Sequence, residues 1–195
     1  MTAAAACRTV PVVLACLALA FALGSCGGGE ESTETVDTVA LEREAEREAD
    51  IEILNQILGR QRAAIGAFDR TIAAMRGRTR ALAVRLRTQE EEHTVAILEA
   101  LRGLEGSEIV ELEEIDSGTL RGEAERLTFL YEIESATIAD ELSAIARLDS
   151  ASARSLLAAT VANQAQHLVL LRRALGAKPA EWVPAPFEDG ATPAP

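Results

Sequence analysis

The sequence predicts an all-α fold: four helices in a bundle, built as two antiparallel hairpins joined by one long crossover. Composition points to helices first. Alanine, leucine, glutamate and arginine dominate, six of 195 residues are aromatic, and five of the six prolines lie beyond residue 178. Apolar residues also recur at three- and four-residue steps in four separate segments. The links between those segments set the topology, because two are very short and one runs to about 15 residues.

Helix one is predicted over about 50–76, with Leu54, Leu58, Ile65, Phe68 and Ile72 on its apolar stripe. Gly77 is a natural stop, and Thr79 a natural cap for helix two, which reaches about residue 104 on Leu82, Leu86, Ile97 and Leu101. Helix three spans roughly 119–148 through Leu127, Tyr131, Ile138, Leu142 and Ile145. Asp149 or Ser150 caps helix four, whose stripe is Leu157, Thr160, Leu171 and Leu175 before Gly176. The short turns make each pair antiparallel. The link GSEIVELEEIDSG, at up to ~3.3 Å per residue, is long enough to run the whole length of a bundle.

The flanks read differently. Residues 1–25 carry Arg8, then VPVVLACLALAFAL, an apolar run too short for a comfortable membrane span. Leu23-Gly24-Ser25-Cys26 resembles the bacterial lipobox, which implies cleavage before Cys26 and lipid on its sulfur. Cys7 and Cys16 fall in the discarded segment, so Cys26 is the lone mature cysteine and no disulfide forms within the mature monomer. The expected location is outside the cytoplasm, lipid-anchored to the cell membrane or an outer membrane. Residues 26–49 read as an acidic flexible tether ending in a polar helical extension, with nine acids over 30–50 against Arg43 and Arg47. The bundle occupies 50–177, and 178–195 is a proline-rich tail carrying Trp182 and Phe187, expected to pack back on a bundle end.

Net charge is −12 and no aromatic residues interleave with basic ones, which argues against nucleic acid as a partner. Arginines 60, 62, 70, 76, 78, 80, 85 and 87 face one acid, Asp69. They read first as pairing with nearby glutamates, and second as a docking surface for anionic lipid or wall polymer. A homodimer stays open, and no protein partner is identified.

Each stripe has a polar interruption at its own period: Gln61 in helix one, Glu90 and His93 in helix two, Glu134 in helix three, Gln164 and His167 in helix four. Gln61 and Glu134 lie about 15 and 14 residues before their turns, His93 and Gln164 about 14 after theirs. At ~1.5 Å per residue all four interruptions are expected in one mid-bundle layer. The halves also repeat at an offset near 73: QRAAIGAFDRTIAAM parallels ESATIADELSAIARL, and HTVAILEAL parallels HLVLLRRAL. Tyr131, one turn from Glu134, reads as core.

From Asp50 to Gly176 the chain resembles the ferritin-like superfamily, in particular small exported bacterial ferritin-like domains. The family motif is a glutamate from each of helices one and three and Glu-x-x-His from each of helices two and four, around two metal ions. Glu90 with His93, Glu134 and His167 match it; Gln61 and Gln164 depart from it. A glutamine oxygen is a neutral, weaker ligand for hard cations. The resemblance therefore leaves three arrangements open: an intact di-iron centre, a single iron, manganese or zinc ion, or a metal-free layer in which the amides of Gln61 and Gln164 bond Glu90 and Glu134. Glu91 and Glu92 point off the stripe, and Glu141 lies two turns (~10 Å) from Glu134. Two function classes follow. One is a non-catalytic interaction or structural module of the cell envelope; the alternative is a one-ion protein with weak oxidase or metal-storage activity.

Overall fold

The computed structural model describes residues 38–109, 114–116 and 118–181. Cys26, the leader, most of the tether, the middle of the crossover, and Trp182 and Phe187 lie outside the described residues. Four helices make the fold: α1 Thr38–Ala74, α2 Gly77–Gly103, α3 Glu123–Ile145 and α4 Ala151–Ala174, followed by a short 3-10 turn at Pro179–Glu181. No described helix is long and apolar enough to cross a membrane.

Two residues separate α1 from α2, and Gly77 turns the chain there with φ +58°. Thr79 is not the cap: Arg76 holds that position without a side-chain bond, and the Thr79 hydroxyl lies 2.9 Å from the Arg76 carbonyl and 2.6 Å from Glu123 Oε1. That last distance places the start of α3 beside the start of α2, so these two helices run parallel. Ser150 caps α4 as expected, its hydroxyl accepting from Ala153 N at 3.2 Å. Asp50, buried near the point where α1 enters the bundle, accepts from the backbone N–H groups of Asp149 and Ser150 at 2.8 and 2.7 Å. It ties α1 to the far turn, so α1 and α3 are antiparallel.

The crossover climbs along α1. Asn55 donates to the Ser107 carbonyl and accepts from Ile109 N, Arg62 pairs with Glu108, and Arg70 donates to the Ile115 carbonyl at 2.8 Å. The link therefore rises from the level of Asn55 to that of Arg70 before α3 begins. This is the two-hairpin, one-crossover topology that the link lengths predict.

Two large apolar clusters fill most of the interior. One gathers Ala67, Phe68, Met75, Leu86, Leu130 and Leu171; the other gathers Leu54, Leu58, Ile97, Leu101, Ala144 and Leu157. Between them all four helices bury polar side chains, Gln61, Glu90, Glu134, Glu141, Gln164 and His167, beside a smaller apolar cluster of Ile138, Val161 and Leu168. Leu142, expected on the stripe of helix three, is 42% exposed, and Glu141 takes the inward place. The twelve residues of α1 before Asp50 form an exposed helical extension carrying Glu42, Glu44, Glu46 and Glu48.

Candidate metal centre

Three of the expected site residues converge. One ligand atom each from Glu90, Glu134 and His167 lies within 4.8 Å of the others, and each residue is about 1% exposed. The helix positions explain the convergence. α2 and α3 run parallel from the Thr79–Glu123 contact, and Glu90 and Glu134 each sit eleven residues further on. α4 returns antiparallel and brings His167 Nδ1 to 3.1 Å from Glu134 Oε1 and 3.1 Å from Glu90 Oε1. The hydrogen bond is aligned with Glu134; the Glu90 oxygen is a charge contact off that line.

The remaining expected residues divide. His93 Nδ1 lies 3.3 Å from Glu90 Oε2, its ring stacked on His167 at 6.2 Å and 17°. Gln164 Nε2 donates to the same Glu90 oxygen at 3.2 Å. Gln61 does not join them: its amide donates to Glu141 Oε1 at 2.7 Å. Two further participants were not expected. Glu141 is fully buried, and Gln89 Oε1 meets His167 Nε2 at 3.1 Å. The ring of His167 is thus faced by acceptors at both nitrogens, the arrangement an imidazolium requires.

Burial and neighbouring charge set the protonation. Burial disfavours a charged His167, but its bond to Glu134 and its close contact with Glu90 outweigh that and raise it to about 9. Burial alone would raise Glu90, yet its contacts with His167 and His93 hold it at about 2. Glu134 is pushed up to about 8, by burial and then by the Glu90 charge. Burial raises Glu141 to about 9 despite the Gln61 bond. Near neutral pH one carboxylate therefore balances one imidazolium, and two carboxyl groups stay protonated.

The layer does not satisfy itself. Among the described residues, seven buried side-chain polar atoms have no hydrogen-bond partner, and five belong here: Gln61 Oε1, Glu90 Oε1, Glu134 Oε2, Glu141 Oε2 and Gln164 Oε1. The protons held by Glu134 and Glu141 supply two donors, too few for Gln61 Oε1, Glu90 Oε1 and Gln164 Oε1 together, so the layer is short of positive charge or donors. The donor set fits one ion. A second ion would meet glutamine oxygens where the family motif supplies carboxylates.

No protein-family model matches the chain, and no curated protein matches it significantly. Solved structures do. One is described as a ferritin-like, diiron-carboxylate protein from Bacillus anthracis: 20% identity, TM-score 0.57, covering 67% of this chain and 97% of that one. Another is a conserved hypothetical protein from Mycobacterium tuberculosis, at 16% identity and TM-score 0.61, covering 69% of this chain and 95% of that one. The fold of this chain is the ferritin-like four-helix bundle.

Proposed function

We propose that this chain is an envelope-tethered ferritin-like protein that holds one divalent transition-metal ion at Glu90, Glu134 and His167. One observation carries the reading: three ligand atoms lie within 4.8 Å of one another, and Glu90 Oε1, Glu134 Oε2 and Gln164 Oε1 are buried in the same tier without a hydrogen-bond partner. Two carboxylates would oppose the charge of a single iron, manganese or zinc ion, and one imidazole suits the same metals. His93 and Gln164 hold the Glu90 carboxylate in place, and the apolar clusters on either side exclude water. Iron or manganese held there would supply one-electron chemistry, the basis of a weak oxidase or metal-storage role. The Leu23–Cys26 sequence and the single mature cysteine support lipid anchorage at Cys26.

A second reading has its own support. The amide of Gln61 is turned to Glu141 and away from the triad, which suits a bundle that keeps the fold as a non-catalytic interaction module. Elemental analysis of chain purified without chelators separates the two. The metal reading expects about one equivalent of iron, manganese or zinc, lost in Glu90→Gln with Glu134→Gln, and a lower Tm once a chelator removes it. Less than about a tenth of an equivalent, with a Tm indifferent to chelator, would leave the non-catalytic module standing.

A further inference from the structure

The arginine-rich stretch of the sequence is divided by the fold. Arg60 pairs with Asp140, Arg62 with Glu108, Arg70 with Glu114, and Arg87 with both Asp69 and Glu91. These arginines hold the crossover and the helices together and are not free for a partner. The rest of the stretch lies elsewhere. Arg76, Arg78 and Arg80 sit at the start of α2, which the Thr79–Glu123 contact places beside the start of α3. The end of α4 is at the same pole, because Leu171 packs with Phe68 and Met75 of the α1 end and Leu86 of α2.

That pole collects cations from three directions. Arg121 precedes α3, Arg173 ends α4, and Lys178 follows it; all are exposed, as are Arg76, Arg78 and Arg80. Among the described residues none of these six has a carboxylate within ion-pair distance. Arg76 donates to the carbonyls that close α1. Among the described residues the nearby carboxylates are engaged by other groups: Asp116 by Gly118 N, Glu123 by the Thr79 hydroxyl, Glu125 by Arg121 N and Glu181 by Lys178 N. The opposite end holds Glu42, Glu44, Glu46, Glu48 and Glu52. Arg43, Arg102, Arg147 and Arg154 lie at that acidic end among these glutamates, so a chain of net charge −12 carries its excess of cations at the pole where α2 begins.

We propose that this basic pole is a docking surface for an anionic phospholipid bilayer. Charge complementarity is the first argument. Five of the six cations are arginines, whose planar guanidinium matches phosphate oxygens, and they spread over a bundle end, the shape that meets a planar array of headgroups. Apolar character is the second. Leu175, 37% exposed, lies among these cations. Basic side chains around an exposed leucine suit the boundary between headgroups and acyl chains. A soluble polyanion would have no use for the apolar part.

The test is co-sedimentation with vesicles, using the chain from residue 26 with Cys26→Ser so that no acyl group contributes; among the described residues every buried core residue lies at Asp50 or beyond. Binding is expected to vesicles of phosphatidylcholine with about one-third phosphatidylglycerol and not to pure phosphatidylcholine, and it should weaken strongly when salt is raised about tenfold. Arg78→Glu with Arg80→Glu and Arg173→Glu should lower the partition coefficient by at least about a hundredfold, at roughly fivefold per charge. Arg43→Glu with Arg102→Glu and Arg147→Glu, the same charge change at the other end, should leave it within about threefold. A circular-dichroism melt of each variant confirms that it is folded. Equal loss in both variants, or no binding to the anionic vesicles, overturns the proposal. So does self-association that the pole variant abolishes without any vesicle binding, which would assign the pole to the acidic end of a second copy. Binding to a soluble polyphosphate without vesicle binding overturns it as well.

Discussion

His167 faces two carboxylates, Glu90 and Glu134, that its charge affects unequally, and the difference makes the metal-free protein sensitive to pH. Glu134 and Glu141, raised to about 8 and about 9, keep protons that the unfolded chain releases above 4.5. Across that window the native state binds more protons, so stability falls as pH rises. His167 adds the same sign at higher pH: its contribution is complete below 6.5 and is lost as pH rises through about 9. Glu90 acts in the opposite sense, its contribution present above 4.5 and lost as pH falls towards about 2. Calorimetry on chelator-treated protein should therefore find the highest Tm near pH ~5 and a decline by pH ~8, at about 1.4 kcal/mol per pH unit for each extra proton held. A level profile over that range would mean that the layer titrates as in water. The four matching residues of this site were legible because Glu-x-x-His spacing puts both side chains on one helix face. Glu141 was not, because positions 141 and 142 both fit the step from Ile138 to Ile145 and apolarity selects Leu142. Gln89 was missed because spacing reports where a side chain starts, while its long chain swings round to His167.

At the scale of the element, the helix ends hold a difference that sequence alone does not display. α4 closes with Gly176 at φ +86°, Ala177 N donating to the Arg172 carbonyl and Gly176 N to that of Arg173. α2 closes with the same pair of bonds, Gly106 N to Leu101 and Glu105 N to Arg102, but the left-handed residue is Glu105 at φ +57°. A side chain there costs about 1 kcal/mol relative to glycine. Gly106, one residue on, is no freer to change, because a Cβ on it would meet Ile51 at 2.8 Å. Glu105→Gly should accordingly raise the Tm by a few degrees, about 0.5–1 kcal/mol of stability, with metal content unchanged. An unaltered or lower Tm would show that flexibility gained by the unfolded chain cancels the relief. The Gly176 stop was readable because glycine announces it. The α2 end was placed within a residue by its apolar stripe and length, and its left-handed closure was hidden because glutamate does not advertise it. The cap assigned to Thr79 failed for a related reason: Gly77 already turns the chain, so the threonine falls within the first turn and reaches across to Glu123.

For the whole molecule, two apolar halves enclose one polar layer, and the thickness of that layer follows from topology. Counting residues from the hairpin turns suggested a single plane. The two turns, however, lie at opposite ends of the bundle, so equal counts coincide only at the midpoint. Measured from the Asp50–Asp149 tie, Gln61 lies eleven residues along α1, Glu141 eight back along α3 and Glu134 fifteen back. At ~1.5 Å per residue those depths are about 16, 12 and 22 Å, which puts Gln61 nearer Glu141 than Glu134. The duplication of the hairpin was legible; this offset between its halves was not, since it needs the antiparallel sense of α1 and α3. The layer is thus two tiers, the Glu90–Glu134–His167 triad and a Gln61–Glu141 pair beside it. The second tier buries a hydrogen-bonded amide and a carboxyl that apolar side chains of similar size can replace. Gln61→Leu with Glu141→Leu should stabilise the fold by about 1–4 kcal/mol at neutral pH and leave the metal equivalents of the triad unchanged. Higher Tm together with lost metal would make the pair part of the ion's own surroundings. A lower Tm would mean that the cavity and rotamer costs of two leucines exceed the cost of burying the amide and the carboxyl.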